Sequence, residues 1–194
     1  MIDKLNAVDG TAMSVASSAG VGEELHAEGV YTFKCFECEG GKLLWEEKIN
    51  NVVCTLGKNL MLQAALTGSA YTVAGPYMGL ISSVSYTTGP AAGDTMASHA
   101  GWTEAGSTNA PTFTARIAPS FGTASAGAIA LSVATSFTMT STGTLKGAFI
   151  TYGTGATATL MSTAGTLLSA GTFIGGDQPV NNLNVVQVSY SLSL

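Results

Sequence analysis

The strongest constraint on the fold lies in residues 30–49. Val30-Tyr31-Thr32-Phe33-Lys34-Cys35-Phe36-Glu37-Cys38 is rich in β-branched and aromatic residues. A strand sends alternate side chains to opposite faces, so Tyr31, Phe33, Cys35 and Glu37 share one face. Val30, Thr32, Lys34, Phe36 and Cys38 share the other. Glu39-Gly40-Gly41 has turn chemistry, and Lys42-Leu43-Leu44-Trp45-Glu46-Glu47-Lys48-Ile49 reads as the returning strand. A lone hairpin is marginal in water, so this one demands further strands or a helix to cover it.

The next residues offer such a cover. Asn50-Asn51 reads as a second turn and Val52-Val53-Cys54 as a short apolar run. Thr55 is placed to cap a helix near residues 56–66, which Thr67-Gly68-Ser69 ends. Leu56, Leu60, Gln63 and Ala64 fall at helical spacing, with Leu62, Ala65 and Leu66 as a second row. That pattern predicts a helix of two to three turns laid with a wide apolar face across a sheet.

Further strands are predicted at Tyr77–Ile81, Thr112–Ile117, Ala128–Met139, Leu145–Tyr152, Thr166–Phe173 and Leu183–Leu194. In the last, Val186, Val188, Tyr190, Leu192 and Leu194 alternate with Gln187, Ser189, Ser191 and Ser193, which predicts a half-buried strand. Ser82–Gly93 reads as loop or edge, and Asp94–Glu104 as a surface loop anchored by Trp102. Strands at this spacing, joined by Gly, Ser and Thr, predict a mainly β fold. The expected architecture is an antiparallel, jelly-roll-like β-sandwich with one short helix. Residues 1–28 read as a flexible N-terminal arm of small and acidic residues, and 29–194 as a single β-rich domain. Sub-lobes at 29–105 and 106–194 are the alternative division.

Composition limits the function. Only 10% of the 194 residues are charged and the net charge is −5, with seven Lys plus Arg. Phosphate neutralisation needs clustered cations, so nucleic-acid binding is not expected. No run of about 18 apolar residues is present, and no transmembrane helix is expected. Met1-Ile2-Asp3-Lys4 lacks the basic-then-apolar pattern of a secretory signal, so the chain is expected to fold in a cytosol. A poorly charged surface rich in Thr, Ser and Ala is poorly suited to a free monomer. It suits a chain whose surface partner chains cover, including copies of itself as a dimer or trimer.

No catalytic constellation emerges, and no enzyme, cofactor or metal site is expected. Cys35-Phe36-Glu37-Cys38 has C-x-x-C spacing, but only Cys54, His26 and His99 remain as further ligands and none forms a second pair. The segment lies in a strand pattern rather than opening a helix, so reduced structural thiols are the plain reading. Glu46-Glu47, or Asp94 with Glu104, read as solvated charge before they read as catalytic pairs. Gly57-Lys58-Asn59 lacks the preceding phosphate-binding loop, and Gly153-Thr154-Gly155 and Gly175-Gly176-Asp177 read as turns. Trp102 and Tyr77 are either core anchors or the platform of a glycan site.

Several segments together resemble small structural proteins of tailed bacteriophages, particularly short-tailed ones. They are Glu28-Gly29-Val30-Tyr31-Thr32-Phe33 with Leu44-Trp45, Asn51-Val52-Val53 with Gly57-Lys58-Asn59, and Tyr77-Met78-Gly79-Leu80-Ile81. Ala92-Gly93-Asp94-Thr95-Met96-Ala97-Ser98-His99-Ala100-Gly101-Trp102-Thr103-Glu104 is the most distinctive, and the closing Leu183–Leu194 also fits. The resemblance implies a virion protein made in the bacterial host's cytoplasm, of the capsid cement (decoration) kind. Such a protein binds the outside of the head and bridges major capsid protein subunits. A tail or head-fibre subunit that binds a host receptor or glycan is the alternative it implies. It transfers no site residues.

Overall fold

The computed structural model describes residues 27–67 and 74–194. Residues 1–26 of the expected arm, and Gly68-Ser69 of the helix terminator, lie outside the described residues. Glu28, expected in the arm, instead opens the first strand.

The hairpin forms as predicted. Strand β1 (Glu28–Phe36) pairs antiparallel with β2 (Leu43–Val53). Glu37 and Cys38 fall in the turn rather than the strand, where Glu37 N donates to the Lys42 carbonyl (2.9 Å) and Gly40 takes φ 67°. Tyr31, Phe33 and Cys35 are fully buried, as their shared face requires.

Asn50-Asn51 is not a turn. The strand runs through it, with Asn50 opposite Val30 and Asn51 opposite Gly29. Gly29 makes this possible, because a Cβ there would collide with the Asn51 side chain. That side chain donates through Nδ2 to the Tyr190 hydroxyl (3.3 Å). Continuing past the asparagines, β2 reaches a second partner: Val52 and Val53 pair with Ala170 and Ser169 of β8 (Thr166–Thr172).

All strands form one open, ten-stranded antiparallel sheet that folds over on itself at β2. On one side, sheet A, β1 lies between β2 and β10 (Val185–Ser193). Beyond β10 come the short β5 (Ala128–Ala130) and β6 (Thr135–Thr138). On the other side, sheet B runs β2, β8, β7 (Gly143–Tyr152), β3 (Tyr77–Ser82) and β4 (Thr103–Glu104), with β9 (Gln178–Val180) pairing β7. The core between the layers joins Tyr31, Phe33 and Val188 of sheet A to Leu80, Ala148 and Ile150 of sheet B. Tyr31 crosses it, its hydroxyl 2.7 Å from Ser169 Oγ. Chain halves that could have formed separate lobes therefore interleave: β10 pairs β1, and β7 pairs β3.

The two sheets differ in how they meet solvent. In sheet A, β10 alternates as predicted up to Leu192, with Val186, Val188 and Tyr190 inward and Ser189, Ser191 and Ser193 exposed. Leu194 breaks the pattern at 60% exposure, because the strand has ended and its N–H turns to the Gly127 carbonyl (3.0 Å). Sheet B is buried on both faces along most of β3, β7 and β8. Its outer face is covered by residues 83–102, through Met96 and Trp102 packed on Ile81, Phe149 and Leu167. What reads as a surface loop is thus a third layer, with Trp102 as the expected anchor.

Three other expectations fail for local reasons. Residues 112–117 make only isolated bridges, Gly106–Thr112 and Met78–Ile117. Residues 128–139 split into β5 and β6, because Ser132 N leaves the β10 ladder for the Ser120 carbonyl (2.8 Å). Helix α1 (Thr55–Leu66) has Cys54, not Thr55, at its N-cap position. No side chain caps it; Thr55 N–H, one of the donors a helix start leaves unpaired, finds the Ala92 carbonyl (2.8 Å).

The helix also lacks its predicted apolar seat. Only Gly57 is buried, and Leu56, Leu62 and Leu66 are exposed. A Cβ on Gly57 would lie 2.8 Å from Leu168 Cα, so the helix backbone sits directly on β8. Tyr152 fixes it there, donating its hydroxyl proton to the Gly57 carbonyl (2.7 Å). Contact through a glycine on β8 leaves the leucines on the flanks uncovered.

Candidate functional site

The densest polar cluster lies on the outer face of sheet B, where β4 brings Glu104 beside Arg116. Both side chains are buried. Arg116 Nε donates to Glu104 Oε1 (2.8 Å) and Nη2 to Oε2 (2.7 Å), the two-pronged geometry that suits a planar guanidinium. Met161 N–H adds a third bond, to Oε2 (2.7 Å). The guanidinium also donates to the carbonyls of Ser162 (2.7 Å) and Thr157 (3.4 Å), and its carbon sits 5.3 Å from the centre of the Phe149 ring. Asn109 Nδ2 donates to the Glu104 backbone carbonyl (2.9 Å). The pair thereby ties residues 157–162 onto the sheet.

Beside it, Asp94 Oδ2 accepts from Trp102 Nε1 (2.9 Å) and from Ala91 N–H (3.0 Å). His99 stacks on Trp102 with centroids 3.9 Å apart and its Nδ1 donates to the Trp102 carbonyl (3.1 Å). A carbonyl can only accept, so that nitrogen carries the proton. A cavity of about 130 Å³ lies between Met96, His99, Trp102, Glu104, Arg116 and Met161.

This arrangement consumes its own chemistry. Each carboxylate oxygen of Glu104 is already bonded, and the guanidinium that would hold an anion is engaged by Glu104 and backbone carbonyls. Asp94 and Glu104 are therefore not the solvated loop charges expected: each has a specific donor set, and Glu104 is buried. Arg116 belongs to no motif in the sequence. The available signal was its isolation, as one of three formal charges after residue 107. A lone cation in an apolar stretch has to find a buried partner.

The cysteines do not converge. Cys35 lies in the sandwich core, Cys54 under the loop layer, and Cys38 is exposed at the hairpin turn; all three are free thiols. Burial pushes the Cys35 thiol up to about 11 and Cys54 up to about 12. His26 lies outside the described residues. Among the described residues no group of three or more His, Cys, Asp or Glu side chains is placed to hold a metal, and no helix is long and apolar enough to cross a membrane. Glu46 faces outward and pairs with Lys34 (3.6 Å), while its neighbour Glu47 is on the opposite side of the strand. Trp102 is 2% exposed and Tyr77 half-buried, so they form no exposed aromatic platform.

Comparison with protein-family models, with curated proteins and with solved structures returned no match.

Proposed function

We propose that this chain is a virion structural protein of a tailed bacteriophage, a capsid cement protein that binds the outside of the head and bridges major capsid protein subunits. The observation that carries the reading is the outer face of sheet A. Thr32 and Lys34 of β1 stand opposite Ser189 and Gln187 of β10, and opposite Lys48 and Glu46 of β2. Lys34 and Glu46 pair with each other (3.6 Å), and beside them and Lys48 the face is rich in hydroxyl and amide groups. The hydroxyl and amide groups of such a face form hydrogen bonds to a partner at less desolvation cost than charged groups do. At the hairpin end it meets exposed Leu43, Leu44 and Ile174, the last 94% exposed, which supply apolar anchors.

In this reading, burying that face against neighbouring subunits stiffens the shell, with many weak contacts adding by multivalency. The chain acts as a dimer or trimer in the virion. Co-sedimentation of the purified protein with empty, expanded heads that lack it tests the proposal. Saturable binding at a fixed number of copies per symmetry axis is the expected result, and absence of binding overturns it. A fibre subunit that binds a host glycan has less support, since Trp102 is packed inside.

A further inference from the structure

Two thioethers and an imidazole line the cavity of about 130 Å³ on the outer face of sheet B: Met96, Met161 and His99. Met96 and His99 come from the loop layer. Met161 comes from the segment that Glu104 and Arg116 tie onto the sheet. Donors from two loops thus border one space.

His99 is set as a ligand is set. Its Nδ1 proton is given to the Trp102 carbonyl (3.1 Å), and its ring is held against the Trp102 ring, centroids 3.9 Å apart. The neutral imidazole therefore carries its lone pair on Nε2. Metal-binding histidines are fixed in this way, with the other ring N–H on a backbone carbonyl or carboxylate that sets tautomer and orientation. Met161 is held at a cost. Its φ is 62°, a left-handed conformation uncommon for residues other than Gly, Asn and Asp. The N–H bond to Glu104 Oε2 (2.7 Å) keeps it there. A glycine would make that bond without strain; the methionine adds a thioether at the cavity. Met161 is 42% exposed and Met96 3%, so the cavity opens at Met161 and closes at Met96.

Charge selects the guest. Glu104 and Arg116 offset each other, and no other carboxylate lines the cavity. Neutral donors give a divalent ion no charge compensation, and hard cations require oxygen ligands. Thioethers with an imidazole suit a soft ion such as Cu(I). We propose that Met96, His99 and Met161 form a three-coordinate site for a soft monovalent cation, Cu(I) or its redox-stable analogue Ag(I). The bound ion joins the loop layer to residues 157–162. The proposal is independent of the capsid reading above.

A silver titration followed on the methionine methyls tests it. Full-length protein carrying Cys38→Ser, which removes the exposed thiol, is labelled at its methionine ε-methyl groups and titrated with Ag(I) in chloride-free buffer. The Met96 and Met161 resonances, assigned with Met96→Leu and Met161→Leu, are expected to shift together and stop at one equivalent. Met78 and Met139, in the core between the sheets, are expected not to move. His99→Phe keeps a ring beside Trp102 but removes the nitrogen, and should weaken Ag(I) binding about a hundredfold. Met161→Leu, at an exposed position, should weaken it as well. Silver that shifts neither methyl overturns the proposal. So does a shift of Met96 alone, which would place the ion on Cys54 in the same buried cluster. Equal shifts with Zn(II), or unchanged affinity in either variant, would also overturn it.

Discussion

At the residue scale, Glu104 and Arg116 are the side chains whose loss should matter most. Removing one member of a buried ion pair strands the other charge, which typically costs about 3–5 kcal/mol. Arg116→Ala and Glu104→Ala are each expected to fall in that range by urea unfolding. The double variant should cost clearly less than the sum, since it leaves no orphan charge. Additive losses would mean the two do not act as a pair. The thiols give a pH test. Cys35 and Cys54 stay protonated in the fold to about 11 and about 12, against an ordinary value of 9.0. Between those values the unfolded chain releases protons that the folded chain keeps, so their contribution is complete below about pH 9 and is lost as pH rises further. The urea midpoint should fall from pH 9 upward, and Cys54→Ala should flatten the fall. In the folded protein iodoacetamide should modify Cys38 readily, and Cys35 and Cys54 only on unfolding.

At the element scale, α1 separates propensity from packing. Gly57 lies inside a helix, where alanine is ordinarily better by about 1 kcal/mol. Here the Cβ would meet the β8 backbone at Leu168, so Gly57→Ala is expected to lower the melting temperature. A rise in melting temperature would mean that helix and strand are not in contact. The periodicity of Leu56, Leu60, Leu62 and Leu66 identified the helix correctly but not its seat. Spacing reports which side chains share a face; it does not report whether anything covers that face. Asn50-Asn51 failed similarly. Asparagine pairs favour turns when only local energies compete. Cross-strand pairing with Val30 and Gly29, and the bond to Tyr190, outweigh that preference.

At the scale of the whole molecule, β10 closes sheet A by pairing β1, β5 and β6. Truncation before Val185 is expected to abolish cooperative unfolding, measured by circular dichroism on heating. If the outer face of sheet A and the hairpin end form the docking surface, Leu44→Asp and Ile174→Asp should weaken binding to heads about tenfold or more without changing the melting temperature. Equal binding by these variants would move the surface elsewhere.

The hairpin, the single helix, β3, β7, β8 and most of β10 were legible in the sequence, as was the mainly β class. Period-2 alternation and turn residues are local properties, written within a few positions of one another. The buried role of Trp102 was legible too, from its size in a small-residue loop. Which strands pair across the sandwich was not legible, nor was the burial of both faces of sheet B. The meeting of Glu104 with Arg116, Met161 and Ser162 was equally hidden. Each depends on residues distant in the chain, brought together only when the sheet folds over at β2. The local pattern therefore specified the elements, and tertiary structure decided which polar groups would be consumed in holding them together.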